Sequence, residues 1–119
     1  MSSRYVKPEI IVDDADISSN YTKIIELGGY ESVLIQFVWT TSDVNGAFTI
    51  GVSNDGGTTY DNLADSAGDD ISIAVAGSSS SYSLHITDCK ALDKARLLFT
   101  NSSGSTGTVD IYMSAVRMV

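Results

Sequence analysis

The sequence predicts an all-β chain folded as a single antiparallel β-sandwich, jelly-roll-like, with about eight strands. Three observations predict it. Apolar and polar residues alternate with period two through almost every apolar run. Clusters of Gly, Ser, Asn and Asp, the residues of tight turns, separate those runs. No segment carries an apolar stripe of helical period long enough to compete.

The first run, RYVKPEIIV, holds the only proline, Pro8. Proline cannot donate to a sheet ladder, so residues 1–12 read as an N-terminal arm or edge strand ahead of a sandwich domain over 13–119. YTKIIEL follows as a strand. In SVLIQFVW, Val33, Ile35, Phe37 and Trp39 share one face while Leu34, Gln36 and Val38 share the other. A strand apolar on nearly both faces belongs in the middle of a sheet. TSDVNG then supplies a turn, in which Asn45-Gly46 is a hairpin signal because both residues tolerate positive φ. AFTIGVS alternates cleanly, with Phe48, Ile50 and Val52 inward.

SNDGGTTYDNL makes a second turn, and ISIAVA, YSLHIT, ARLLFT and TVDIYMSAV complete the strands. Between the last two, NSSGSTGT reads as a hairpin loop whose Gly104 and Gly107 admit positive φ. The best helical candidate is a single turn in DCKALDKA, using Asp88, Leu92 and Ala95. Strand count and turn spacing leave jelly-roll and immunoglobulin-like orders both open.

Composition narrows the functional classes. The net charge of −8, from 15 acidic against 7 scattered basic residues, repels phosphates and disfavours partnership with nucleic acid or an anionic membrane. The same charge opposes self-association, which must overcome it wherever copies assemble. A single cysteine, Cys89, excludes an intrachain disulfide and reads as a buried thiol. MSSRYVKPEI lacks the apolar core of a signal peptide, so synthesis in the cytoplasm is expected.

Chemistry-bearing residues are sparse. His85, the sole histidine, sits mid-strand between Leu84 and Ile86, and one His with one Cys falls short of a zinc ligand set. No Gly-rich phosphate loop ending in Lys-Ser/Thr is present. The expectation is therefore no enzyme and no cofactor. Loop acids (Asp13, Asp14, Asp16, Asp55, Asp61, Asp65, Asp69 and Asp70) raise calcium, but the D-x-[DN]-x-[DN]-G pattern with a distal Glu is missing, and solvated loops explain them. Trp39 has core phase. Tyr30, Tyr60 and Tyr82, near strand ends, could line a sugar-binding rim.

One combination of motifs is more specific. A strand ending Val38-Trp39-Thr40 meets a D-V-x-G turn (Asp43, Val44, Gly46), then Phe48 and Ile50, then Ser53-Asn54-Asp55. Later come Arg96, Leu97, Phe99 and Thr100, followed by Ser103, Gly104, Gly107 and Thr108. In this order, over roughly Tyr21 to Val116, the chain resembles small bacteriophage virion structural proteins of β-sandwich type, head decoration or cement proteins and fibre-associated subunits.

The resemblance implies a non-enzymatic virion protein, above all a capsid decoration or cement subunit, acting by self-association and docking on the shell. Its partners would be other virion proteins, the major capsid protein or a tail component, and further copies of itself. A discoidin-like carbohydrate-binding module, serving tail or cell-surface adhesion, is the alternative. It shares the S-N-D-G turn before an aromatic, with Tyr30, Asn54, Asp55 and Tyr60 as ligand rim, although Tyr60 stands where such modules often have Trp.

Surplus apolar residues on outward strand faces favour assembly. Leu34 and Val38, with Leu98 in ARLLFT, would face water in an isolated sandwich, so something is expected to cover them. The cover is either a neighbouring subunit or, within the chain, the Pro8 arm or the 66–76 segment. Tyr5, Val6, Pro8, Ile10 and Ile11, with Leu34, Val38 and Leu98, are accordingly the candidate assembly residues.

Overall fold

A computed structural model describes residues 4–87, 89 and 92–117, with side chains from residue 8 onward. It contains β1 (Arg4–Asp16), β2 (Tyr21–Glu26), β3 (Tyr30–Thr41), β4 (Asn45–Ser53), β5 (Asp61–Asn62), β6 (Ser72–Ala76), β7 (Ser80–Ile86), β8 (Lys94–Ser103) and β9 (Gly107–Arg117). No helix occurs among the described residues. Of the helical-turn candidate, Asp88, Lys90 and Ala91 lie outside the described residues, and Ala95 belongs to β8.

The strands form two antiparallel sheets. The first has the order β1-β9-β3-β7, and the second β2-β8-β4, with β5 and β6 sharing the far side of β4. The pairs nest: β1 joins β9, β2 joins β8, β3 joins β7 and β4 joins β6. Such a chain is one long hairpin, with its tip at β5, wound so that successive rungs fall in opposite sheets. This is the jelly-roll form of the β-sandwich.

Winding changes the meaning of the turns. Asn45-Gly46 and the 101–108 loop do not make hairpins, because β3 and β4, like β8 and β9, lie in opposite sheets. Each is a corner over the end of the sandwich. Neither Asn45 nor Gly46 has positive φ, and both already pair in β4 with β6 and β8. Gly46 is needed for another reason: a Cβ there would run into the Thr100 carbonyl oxygen and the Phe99 ring.

The corners are tied to each other. Val44, buried in the first, pulls the chain over the core. Thr41 Oγ1 accepts the Val44 N–H at 2.9 Å and donates to the Thr106 carbonyl at 2.6 Å. Asp43 accepts the N–H groups of Ser105 and Thr106 from the second corner, at 3.2 and 3.1 Å. Gly104 has φ +96°, and a Cβ on it would collide with the backbone of Asp43 and Val44.

Between the sheets lie the inward faces predicted by alternation. Val33, Ile35, Phe37 and Trp39 of β3 are all buried, as are Phe48 and Ile50 of β4. Phe48 is the junction. Its ring centroid lies 4.9 Å from Phe37 in the opposite sheet and 4.8 Å from Phe99, its cross-strand neighbour on β8. The Trp39 ring adds a third contact at 6.1 Å, while its Nε1–H donates to the Ser78 carbonyl. Such tilted pairs add about 0.5–1.5 kcal/mol each beyond the area they bury.

At the N-terminus β1 runs past residue 12 to Asp16 and forms an edge of the first sheet. Val12 and Ile17 are buried. The ladder with β9 slips three times, between Val6 and Glu9, Ile10 and Val12, and Val12 and Ala15. A strand so bulged and twisted is a poor template for further pairing.

Phe48→Ala should cost about 3–5 kcal/mol, because its cavity opens at the contact between sheets. Ile24→Ala, at a 40% exposed position on β2, should change stability by less than about 0.5 kcal/mol. Urea denaturation of the two variants beside the parent chain measures both.

Candidate functional site

The surface candidates separate into two faces and one end. On β3 the side chains of Leu34, Gln36 and Val38 point away from the core, opposite Ser114, Tyr112 and Asp110 of β9. Ile10 of β1 lies opposite Tyr112 on the same outer face. Pro8, Leu34, Gln36, Tyr112 and Ser114 line a shallow hollow of about 80 Å³. Ile10 is 45% and Leu34 43% exposed, so a strip of apolar surface crosses the middle of this sheet.

Other residues of the candidate set fall elsewhere. Leu98 lies on β8 with Thr22 and Thr49 beside it, so it belongs to the outer face of the second sheet, on the opposite side of the molecule. The 66–76 segment also belongs to the second sheet, through β6, and does not cover Leu34. Ile11 packs against the core. Tyr5 and Val6 are in β1, and their side chains lie outside the described residues. Tyr112 was missed in the sequence. Its signal was its phase in TVDIYMSAV, between inward Ile111 and Met113.

At one end of the sandwich stand the residues of the alternative rim. Asp55 organises its own turn: Oδ1 accepts from Ser53 Oγ at 2.7 Å and from the N–H groups of Thr59 and Thr58 at 2.9 and 3.1 Å. These bonds, the Thr59 N–H foremost, lower its pKa from 3.8 to about 2. Gly56 and Gly57 follow with positive φ, and the Gly56 N–H donates to Asp93 at 2.8 Å. The Tyr60 ring lies under the Arg96 guanidinium at 4.8 Å and the Tyr30 ring under that of Arg117 at 5.5 Å. One face of each ring is thus already taken. Asn54 is exposed at the tip of the same turn.

The remaining polar candidates are dispersed. Asp13 and Asp14 come within 4.8 Å of Asp110, and the Asp14 N–H donates to Asp110 Oδ1. Asp65 caps its own loop through the N–H groups of Ala67 and Asp69. His85 is exposed on β7, facing outward opposite Leu34. Cys89 is buried, its thiol donating to the Ile86 carbonyl at 3.5 Å.

With this geometry in view, similarity to known structures concerns the fold. The SPBc2 prophage-derived protein YomS superposes with a TM-score of 0.60 at 12% identity, covering 98% of this chain and 96% of its own. A structure described as a family 4 carbohydrate-binding module gives a TM-score of 0.46 at 13% identity, over 97% of this chain and 77% of that one. The N-terminal cellulose-binding domain of Cellulomonas fimi β-1,4-glucanase C gives 0.42 at 14%, over 81% and 66%. No protein family matches the sequence, and no curated protein matches it. The chain is a β-sandwich whose whole length follows the fold of a prophage-derived protein.

Asp55, Asp43 and Asp16 all have lowered pKa values, Asp43 through the Ser105 and Thr106 N–H groups and Asp16 through that of Ser18. A carboxylate lowered on folding stabilises the native state above its unfolded pKa and loses that contribution as pH falls through the folded value. Stability should therefore hold between about pH 7 and 5 and decline below about pH 4. Asp55→Asn should flatten the lower part of the decline, read from urea midpoints across the acid range.

Proposed function

We propose that this chain is a non-enzymatic structural subunit of a phage particle, above all a capsid decoration or cement protein. It works by laying the outer face of its first sheet on a neighbouring virion protein, the major capsid protein or a tail component, and by associating with further copies. The carrying observation is the apolar strip of Pro8, Ile10, Leu34 and Tyr112 on that face, where an antiparallel sheet would ordinarily present polar side chains to water. End-to-end likeness to a prophage-derived protein supports the setting.

The strip has the make-up of a docking site: an aromatic and aliphatic centre, with Gln36 and Ser114 among it for hydrogen bonding. Asp13, Asp14 and Asp110 stand beside its Val38 end. A basic margin on the partner would be steered to that side. Many copies on one shell would give retention that a single small contact lacks.

A carbohydrate-binding module needs aromatic faces free to stack on sugar rings. Tyr60 and Tyr30 each have a guanidinium against one face, and Asp55 is engaged in its own turn. The alternative rim is thereby less suited to a ligand than the sequence suggested.

Co-sedimentation of the purified chain with particles of the parent phage tests the proposal. Wild type should pellet with the particles. Leu34→Asp should weaken binding by about tenfold or more, since it places a charge in the desolvated centre, while leaving the melting temperature little changed. A wild-type chain that stays in the supernatant would remove the docking reading. Glycan-array binding lost on Tyr60→Ala would put the carbohydrate reading in its place.

A further inference from the structure

The open edges of the two sheets are not alike. An edge strand presents unpaired N–H and C=O groups that template another strand, and proteins usually block it. Among the described residues, three of the four edges are blocked. β1 carries Pro8, the three register slips, Asp14 at φ +53° and a run of acids. β2 turns Lys23 toward the core side, opposite buried Leu97, so an added strand would have to bury its ammonium. The far side of β4 is divided between β5, of 2 residues, and β6, of 5, both short.

β7 has none of these devices. It runs for 7 residues, SSYSLHI, without proline, lysine, arginine, aspartate or glutamate. Its ladder with β3 has no register slip, and its other side pairs with no described strand. Tyr82 lies opposite buried Phe37, so its phase is toward the core, yet it is 46% exposed. A large apolar ring at a core-facing position of an unblocked edge lacks a neighbour on one side.

We propose that β7 pairs antiparallel with β7 of a second copy, joining the two first sheets into one continuous sheet with the two-fold axis at Ser83. An isologous contact must be self-complementary, and this strand is. With the axis at Ser83, Tyr82 comes to lie beside Leu84 of the partner subunit, which extends the core, and outward Ser81 meets outward His85 of the partner subunit. Charge decides the occupant and the place. Copies of a chain with net charge −8 repel, and β7 brings no carboxylate against another. The same pairing at β1 would oppose Asp13, Asp14 and Asp16 to one another. This inference deepens the assembly reading and rests on it for its purpose, since lateral pairing would link subunits docked through the outer face.

The test uses the full chain without particles. Sedimentation equilibrium should show the mass doubling as concentration rises. Tyr82→Lys, which gives β7 the device that β2 already has, should hold the chain monomeric, while Ile10→Lys on the outer face should leave the doubling unchanged. Under mild oxidation Ser83→Cys should form a disulfide-linked dimer on the order of tenfold faster than Ser102→Cys, because the axis sets its two copies side by side. Buried Cys89 does not compete.

A chain monomeric at every concentration, with Ser83→Cys no faster than Ser102→Cys, would overturn the proposal. So would a dimer that persists in Tyr82→Lys without cross-linking at Ser83. If Tyr82→Lys unfolds, the cross-linking comparison decides. A monomer that still co-sediments with particles removes the β7 contact and keeps the docking reading, whereas a β7 dimer that never co-sediments does the reverse.

Discussion

The contact of Phe48 with Phe37 across the sandwich is the constraint on which the other features depend. Phe48 belongs to the second sheet and Phe37 to the first, and Phe99 fixes Phe48 from the adjacent strand. For these two rings to meet across the interior, consecutive strands β3 and β4 must lie in opposite sheets, which forces the chain over a corner between them. The corner in turn requires Val44 to bury, Thr41 and Asp43 to satisfy its backbone groups, and Gly104 to give room where the second corner crosses. Nested pairing then follows as the chain returns along the path it came.

The same alternation that fills the core assigns the surface. A strand with Val33, Ile35, Phe37 and Trp39 inward has no freedom over where Leu34, Gln36 and Val38 point, because a shift of one residue would exchange the two sets. Leu34 is therefore held on a rigid, central strand. A docking residue on such a support costs little ordering on binding, unlike one on a loop. The acidity of the chain is kept mostly to loops and strand ends, away from the centre of this face and from β7.

Much of this was legible in the sequence. Period-two alternation identified the long strands, the inward set of β3 and its central position, and turn chemistry located the loops. Strand order was not legible, since pairing partners such as Ile10 and Tyr112 are far apart along the chain and no local signal links them. Asn45-Gly46 has the residues of a hairpin and makes a corner, because the side on which the next strand packs is decided by Phe48 and Val44 rather than by the turn. Leu34 and Leu98 likewise read as one surplus of apolar residues. Period two reports that each faces outward and says nothing about which sheet each faces outward from. The bulges of β1 were foreshadowed only by Pro8, and the bareness of β7 became visible once it was known to be an edge.

Hydroxyl-radical footprinting of the chain, free and bound to particles of the parent phage, tests the central claim most directly, because it reads side chains rather than backbone amides already held in ladders. The account predicts that Ile10, Leu34 and Tyr112 lose reactivity on the particle, while Ile24 and Leu98 on the opposite face keep theirs. Protection of Ile24 and Leu98 with Leu34 and Tyr112 unchanged would contradict it.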